Sequence, residues 1–142
     1  MTMTTLWNHQ VHGIKVGEVV PDLGLFYEQG SGKSRTLIEI LRRRYAKSDR
    51  VMKTLILAPV IVCPNWKREF AMYSKIPQKD IVVLLDSEKK RIQEFIKAVG
   101  SDLSGNKIIV TNYEAMQMTD LYKLLLAWGI EILACDESQR LS

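Results

Sequence analysis

The sequence predicts an α/β domain in which a mostly parallel sheet is covered by helices on both faces. Short runs rich in Val, Ile and Leu recur along the chain without strict polar alternation, which is typical of strands buried on both faces. Helical patterns separate these runs, and alternating strands and helices build parallel sheets. With 142 residues and 46% hydrophobic content, the chain can form one such domain with a substantial core.

Five strands and four intervening helices are predicted. The strands are residues 22–27, 53–58, 81–85, 107–111 and 130–135, and the helices are residues 33–45, 64–73, 87–99 and 114–128. Pro64 suits the first turn of the second helix, and Asp86 or Ser87 can cap the third. Gly100 and Gly129 stand where the third and fourth helices would end.

Composition narrows the function classes. No apolar run reaches the roughly 18 residues of a membrane span, and the first residues lack the features of a signal peptide. We therefore expect a cytoplasmic protein without a membrane partner, or a nuclear or nucleoid one if it acts on chromosomal DNA. Cys63 and Cys135 lack metal-ligand spacing and lie in apolar runs, so buried reduced thiols are expected.

The formal net charge of +4 permits an acidic partner such as nucleic acid without requiring one. The densest basic cluster comprises residues 42–44 with Lys47 and Arg50, near the end of the first predicted helix. Cations there complement the negative end of the helix dipole. We interpret the cluster as a solvated helix terminus.

A glycine-rich turn, Gly30-Ser-Gly-Lys-Ser34, links the first strand to the first helix. Gly30 and Gly32 permit a tight turn whose amide N–H groups converge on phosphate oxygens. Lys33 adds a positive charge, and the Ser34 hydroxyl can ligate the magnesium ion of a nucleotide. Tyr27 stands where the general phosphate-loop pattern has glycine, and an ordinary flexible turn is the alternative. ATP with Mg²⁺ is the predicted ligand.

The fifth strand leads into two adjacent carboxylates, Asp136 and Glu137. In a nucleotide enzyme Asp136 can hold the magnesium ion through a water, and Glu137 can orient and deprotonate an attacking water. The alternative is a solvated acidic loop. The phosphate loop elsewhere in the chain favours the catalytic interpretation.

Several segments, in order, resemble motifs of the first RecA-like lobe of superfamily 2 helicases, and within these of Swi/Snf-type DNA translocases. They are Glu28–Ser34, Leu57–Pro59 with Asn65–Phe70, Val110–Glu114 and Asp136–Gln139. The resemblance implies a RecA-like P-loop NTPase fold. Residues 1–142 would form a single lobe that stops after the Asp-Glu box, which is the segment Asp136–Gln139. Gln139 stands where the family usually has histidine.

The resemblance also implies roles for individual residues. Those implied to bind nucleotide are Gln10, Gln29, Gly30, Ser31, Gly32, Lys33 and Ser34, with Gln10 reading the adenine edge. Lys33 and Glu137 are the implied catalytic residues, and Ser34 and Asp136 the implied metal ligands.

Nucleic-acid contacts are implied at Pro59, Val60, Thr111 and Asn112, at strand ends opposite the nucleotide pocket, where phosphates can be held without sequence readout. The alternatives are a strand-terminating proline at position 59 and a turn residue at position 112. Trp66 and Phe70, four residues apart, are predicted to lie in the core rather than to stack on bases.

The implied function is the ATP-binding lobe of an ATP-dependent DNA helicase or translocase, with duplex DNA favoured as partner. The family's second lobe supplies arginines to the phosphates, so the chain alone should hydrolyse ATP weakly. A further strand separates the phosphate-loop strand from the Asp-Glu strand in the family. We therefore expect a gap between these two strands. We also expect that the 142 residues are a fragment of a longer protein or that another chain completes the sheet. A small P-loop kinase or phosphotransferase and a non-hydrolytic nucleotide- or DNA-binding module are alternatives.

Overall fold

The computed structural model describes residues 24–28 and 34–136, in which five strands alternate with four α-helices. The elements are β1 (Gly24–Glu28), α1 (Ser34–Ser48), β2 (Thr54–Leu57), α2 (Cys63–Tyr73), β3 (Ile81–Leu84), α3 (Glu88–Val99), β4 (Ile108–Thr111), α4 (Thr119–Trp128) and β5 (Ile132–Asp136). Short 3₁₀ turns cover Gln78–Asp80 and Tyr113–Gln117. All nine predicted elements are present, with ends that differ by a few residues.

The five strands form one sheet in the order β1-β5-β2-β4-β3, and every neighbouring pair is parallel. This confirms the predicted α/β class. The expected gap is wrong for the described sheet, because β1 pairs directly with β5 from Gly24 beside Ile132 to Glu28 beside Asp136. Direct pairing satisfies the backbone N–H and C=O groups that a gap would have left exposed.

Each sheet face has its own core, so the prediction of helices on both faces is confirmed. Helices α1 and α2 pack on the face formed by Ile56, Ala58, Ile108, Val110, Ile132 and Ala134. Helices α3 and α4 pack on the face formed by Leu55, Leu57, Ile109, Leu133 and Cys135. The alternation follows from the two-residue period of a strand, and both faces are apolar because both are covered.

The helix ends confirm most of the predicted capping. Pro64 lies in the first turn of α2, and the Ser87 hydroxyl accepts a hydrogen bond from Lys90 N at 3.3 Å. Gly100 and Gly129 have φ of 91° and 88°, a region that glycine adopts without strain.

The last helix starts later than predicted. Residues 113–117 form a 3₁₀ turn, and α4 begins at Thr119. The carboxylate of Glu88 accepts hydrogen bonds from Asp120 N at 3.0 Å and Leu121 N at 3.2 Å. A side chain from α3 therefore fixes the start of α4, which local sequence does not reveal.

The basic cluster near the end of α1 makes ion pairs at the surface. Arg42 and Arg43 both pair with Glu39, and their hydrogen bonds lower the pKa of that carboxyl to about 2. Arg50 pairs with Glu131 at 2.9 Å. These contacts agree with a solvated helix terminus.

Cys63 and Cys135 are both buried, and neither takes part in a disulfide. Burial, and secondarily the carboxylate of Asp136, raises the pKa of the Cys63 thiol to about 12. In the part of the chain that the structure describes, no helix combines the length and hydropathy required to cross a bilayer.

Candidate functional site at the carboxyl edge of the sheet

One edge of the sheet gathers most of the described candidate residues. Because all strands are parallel, the carboxyl ends of β1, β5, β2 and β4 lie side by side, which is where α/β sheets bind ligands. Asp136 ends β5, Pro59 follows β2, and Asn112 follows β4. The predicted nucleic-acid positions therefore lie on the same edge as Asp136, because β2 and β4 run in the same direction as β5.

Asp136 is buried at this edge, with 4% of its surface exposed. Its Oδ2 atom accepts a hydrogen bond from Trp66 Nε1 at 2.9 Å. Trp66 lies in the core beside Phe70, with ring centroids 6.3 Å apart, which confirms the prediction that both are core residues. Trp66 has a second role that the sequence reasoning missed. A buried indole N–H requires an acceptor, and that requirement was the available signal.

The main chain of Asp136 is held as well. The hydroxyl of Tyr113 donates a hydrogen bond to the carbonyl oxygen of Asp136 at 2.9 Å. Tyr113 begins the 3₁₀ turn after β4, whereas Asp136 ends β5, and β2 lies between these two strands. The bond therefore spans the end of β2 and links two of the predicted functional segments.

A buried arginine holds the other side of the turn after β4. Arg91 is 4% exposed, and its Nη1 donates to Thr111 Oγ1 at 3.0 Å and to Asn112 Oδ1 at 2.6 Å. Its Nη2 pairs with Glu114 Oε1 at 3.2 Å, and its Nε donates to the Asp86 carbonyl at 2.6 Å. Every guanidinium nitrogen thus has an oxygen acceptor.

Arg91 was not among the predicted site residues. The sequence did contain a signal for a buried arginine. Arg91 precedes Phe95 by four residues and Val99 by eight, so all three lie on the buried face of α3. A cation on an apolar helix face requires partners elsewhere in the fold.

The four predicted nucleic-acid positions differ in what they can contact. Thr111 is fully buried, and its hydroxyl donates to the Leu84 carbonyl at 2.7 Å. Its hydroxyl is thus used inside the protein, and the nucleic-acid role of Thr111 stays a prediction. Asn112 is half-buried at the edge, and Val60 is 54% exposed. The Pro59 carbonyl accepts from Val62 N at 2.9 Å, which starts the turn into α2.

The remaining predictions lie partly outside the described residues. Eight of the predicted residues fall outside the described part of the chain, and their roles stay predictions. They are Gln10, Gln29, Gly30, Ser31, Gly32, Lys33, Glu137 and Gln139. Ser34 is the first residue of α1, which follows β1 in the chain. The ends of the predicted phosphate loop are thus β1, beside Asp136, and the start of a 15-residue helix.

The donor set at this edge fits a magnesium nucleotide. Magnesium prefers oxygen ligands and commonly keeps most of its waters while using one or two protein oxygens and the phosphates. The carboxylate of Asp136 is held by Trp66 at the end of the strand paired with β1. Helix α1 begins at Ser34, shortly after β1 ends at this edge, and the first turn of a helix carries the positive end of its dipole.

Comparison with known proteins identifies relatives of this fold. Residues 21–142 match the family described as the SNF2-related domain. The chain is 27% identical over 139 residues to "Probable ATP-dependent DNA helicase CHR23" of Arabidopsis thaliana, covering 98% of this chain. It is 26% identical over 120 residues to "DNA repair and recombination protein RAD54B" of Homo sapiens, covering 80% of this chain.

In both alignments the chain covers 12% of the relative's length. The match to the SNF2-related domain, by contrast, covers most of this chain, including all five strands and the carboxyl edge between them. The chain belongs to the SNF2-related domain family.

Proposed function

We propose that this chain is the ATP-binding lobe of an ATP-dependent DNA helicase or translocase. The observation that carries the proposal is the direct pairing of β1 with β5. It sets the strand that leads into Gly30-Ser-Gly-Lys-Ser34 beside the strand that ends in Asp136. The family resemblance implies one further strand between them, but in both arrangements the phosphate loop and the magnesium-directed carboxylate lie at the same carboxyl edge of the sheet, where a nucleotide enzyme binds its substrate. The SNF2-related match and the name of the Arabidopsis relative support this activity.

In this proposal each residue has a defined task. Backbone amides of Gly30 and Gly32 bind phosphate oxygens, and Lys33 holds the terminal phosphates as a point charge. Ser34 and Asp136 hold Mg²⁺, the latter through water, and the ion when bound neutralises phosphate charge. Glu137, next to Asp136, orients the attacking water and accepts its proton.

Nucleic acid binds along the same edge. Asn112 offers a side-chain amide donor, and the exposed Val60 offers a backbone and a small apolar surface. These groups contact the sugar-phosphate backbone and position it without reading base sequence. Duplex DNA is the proposed partner, since the names of both relatives refer to DNA. A protein that acts on chromosomal DNA would work in a nucleus or nucleoid.

Movement along DNA requires a second RecA-like lobe in this proposal. Its arginines would stabilise charge on the transferring phosphate, a contribution of roughly a thousandfold or more in comparable enzymes. The isolated chain would then bind ATP but hydrolyse it slowly.

Calorimetric titration with Mg-ATP tests the nucleotide site. Lys33→Ala should abolish measurable binding, because the phosphates lose their cationic partner. Lys47→Ala removes an exposed lysine from the last turn of α1 and is the matched control. Equal affinity for wild type and Lys33→Ala would contradict the site.

ATPase assays with and without duplex DNA separate the proposal from its alternatives. Slow ATPase that duplex DNA stimulates supports the helicase lobe. Phosphate transfer to a small acceptor without DNA stimulation would indicate a kinase. Nucleotide or DNA binding without any turnover, even when a second lobe is supplied, would indicate a non-hydrolytic module.

A further inference from the structure

The carboxyl edge contains a link between its two proposed ligand sites, and this inference rests on the proposed function. We propose that Arg91 is a positioning residue that fixes the turn after β4 and, through the hydroxyl of Tyr113, couples nucleic-acid binding at Asn112 to the position of Asp136.

The first step is the fixed orientation of Asn112. Its Oδ1 accepts from Arg91 Nη1 at 2.6 Å, so the oxygen of the amide is directed inward. The Nδ2 group is then the donor left for a ligand at the edge. A phosphate oxygen can accept a hydrogen bond from it. Arg91 therefore sets which end of the Asn112 amide a nucleic acid encounters.

The second step concerns the charge of Arg91. Its ion-pair partner, Glu114, has a side chain that is 62% exposed, so solvent screens that interaction. The remaining acceptors are neutral oxygens of Asp86, Thr111 and Asn112. The Asp86 carboxylate also interacts with Arg91 through its charge, but it is more than half exposed, so burial of the cation is compensated only by screened charges and is costly. A phosphate bound at Asn112 would supply negative charge next to the guanidinium.

The third step connects this turn to β5. Asn112 is followed directly by Tyr113, whose hydroxyl lies 2.9 Å from the carbonyl oxygen of Asp136. A shift of the turn on nucleic-acid binding therefore acts on the backbone of the residue proposed to hold magnesium. Because coupling between two sites is reciprocal, nucleotide binding must act on nucleic-acid affinity by the same factor.

The test measures that factor directly on the full chain. The affinity for a fluorescent ATP analogue with Mg²⁺ is measured with and without a saturating duplex oligonucleotide, and the ratio of the two dissociation constants is the coupling factor. We expect about fivefold or more for the wild type, the lower end of typical coupling. Tyr113→Phe removes the hydroxyl alone and should bring the ratio close to one.

Arg91→Lys keeps the charge but not the planar set of donors, and should also lower the ratio. Tyr122→Phe on α4 and Arg44→Lys on α1 make the same chemical changes elsewhere and should keep the wild-type ratio. Because the ratio is formed within each variant, a general loss of affinity cancels. If Arg91→Lys does not fold, Tyr113→Phe still decides the result.

The possible outcomes separate the two proposals. A wild type that binds both ligands with a ratio of one, or a Tyr113→Phe variant with the wild-type ratio, overturns the coupling and leaves the proposed function intact. A folded wild type that binds neither Mg-ATP nor DNA overturns the proposed function and the coupling with it.

Discussion

Trp66 Nε1 lies 2.9 Å from Asp136 Oδ2, and this bond ties the core of α2 to the acidic end of β5. The helix motif that carries Trp66 and the strand motif that carries Asp136 are 70 residues apart in the chain. A residue expected only to fill the core therefore also orients the carboxylate proposed to serve the nucleotide.

Replacement of Trp66 by phenylalanine should weaken nucleotide binding as well as folding. The change removes the indole donor from a buried carboxylate, and the loss of this bond should cost about 1–3 kcal/mol in the free energy of unfolding. We expect Mg-ATP affinity to fall by about tenfold, or about 1.4 kcal/mol. Urea titration and calorimetry measure the two effects.

Trp128→Phe is the matched control for this prediction. Trp128 is equally buried, and its Nε1 donates to the Gly105 carbonyl at 2.8 Å on the opposite face of the sheet. It should lose similar stability and retain nucleotide affinity. Equal nucleotide affinities in the two variants would show that the Trp66 bond does not serve the site.

Gly129 should tolerate asparagine better than alanine. Its φ of 88° and ψ of 52° lie in the left-handed region, where alanine costs about 1–2 kcal/mol. Space is not limiting, because an added Cβ would lie 3.9 Å from its nearest neighbour, Lys53 Nζ. Asparagine visits this region more readily and should cost less. Thermal unfolding of both variants gives the comparison, and equal losses would argue against backbone strain as the cause.

The Glu88 carboxylate should contribute to stability through the helix that it caps. Glu88→Ala removes the acceptor for Asp120 N and Leu121 N and should cost about 1 kcal/mol. Glu88→Gln keeps an acceptor oxygen and should cost less. Glu94→Ala, at an exposed position of the same helix, controls for the loss of a surface carboxylate. Chemical denaturation measures the free energy of unfolding of all three variants. If Glu88→Ala lost no more stability than Glu94→Ala, the proposed capping role of Glu88 would be wrong.

Cys63 should make folding sensitive to alkaline pH. Burial raises its pKa from the ordinary value of 9.0 to about 12. Above pH 9 the unfolded chain loses the thiol proton while the folded protein keeps it. The free energy of unfolding should therefore decline between about pH 9 and about pH 12. Urea titrations across this range measure the decline, and Cys63→Ala should remove part of it.

The same burial predicts low thiol reactivity. In a Cys135→Ala background, iodoacetamide at pH 8.5 should modify Cys63 only as fast as the protein opens, because the thiolate is the reactive form. Mass spectrometry with and without denaturant measures the rates. Equal rates in the two conditions would show that the thiol is accessible in the folded state.

The sequence predicted the elements well because each strand is a continuous apolar run and each helix has recognisable end signals. The order of the strands was less accessible. Pairing of β1 with β5 joins segments at opposite ends of the chain, and no local pattern reports it. The start of α4 was missed for a similar reason, since Glu88 of another helix sets it.

The candidate site was predictable where function depends on local chemistry. Asp136 follows a buried strand, and its position at the carboxyl edge agrees with the prediction. Arg91 and Tyr113 were not predicted, because their roles depend on acceptors 20 and 23 residues away, respectively. Thr111 was assigned to nucleic-acid contact from the family resemblance, which does not report that Arg91 and Leu84 enclose its hydroxyl.

Asp136 is anchored twice before any ligand arrives, at its carboxylate by Trp66 and at its carbonyl by Tyr113. Ordering a flexible acidic side chain would cost conformational entropy at each binding event. Here that entropy is lost once, during folding, and the site is preorganised. If Asp136 holds magnesium as proposed, magnesium affinity and fold stability are linked, and a substitution deep in the core of α2 impairs nucleotide binding without contacting the nucleotide.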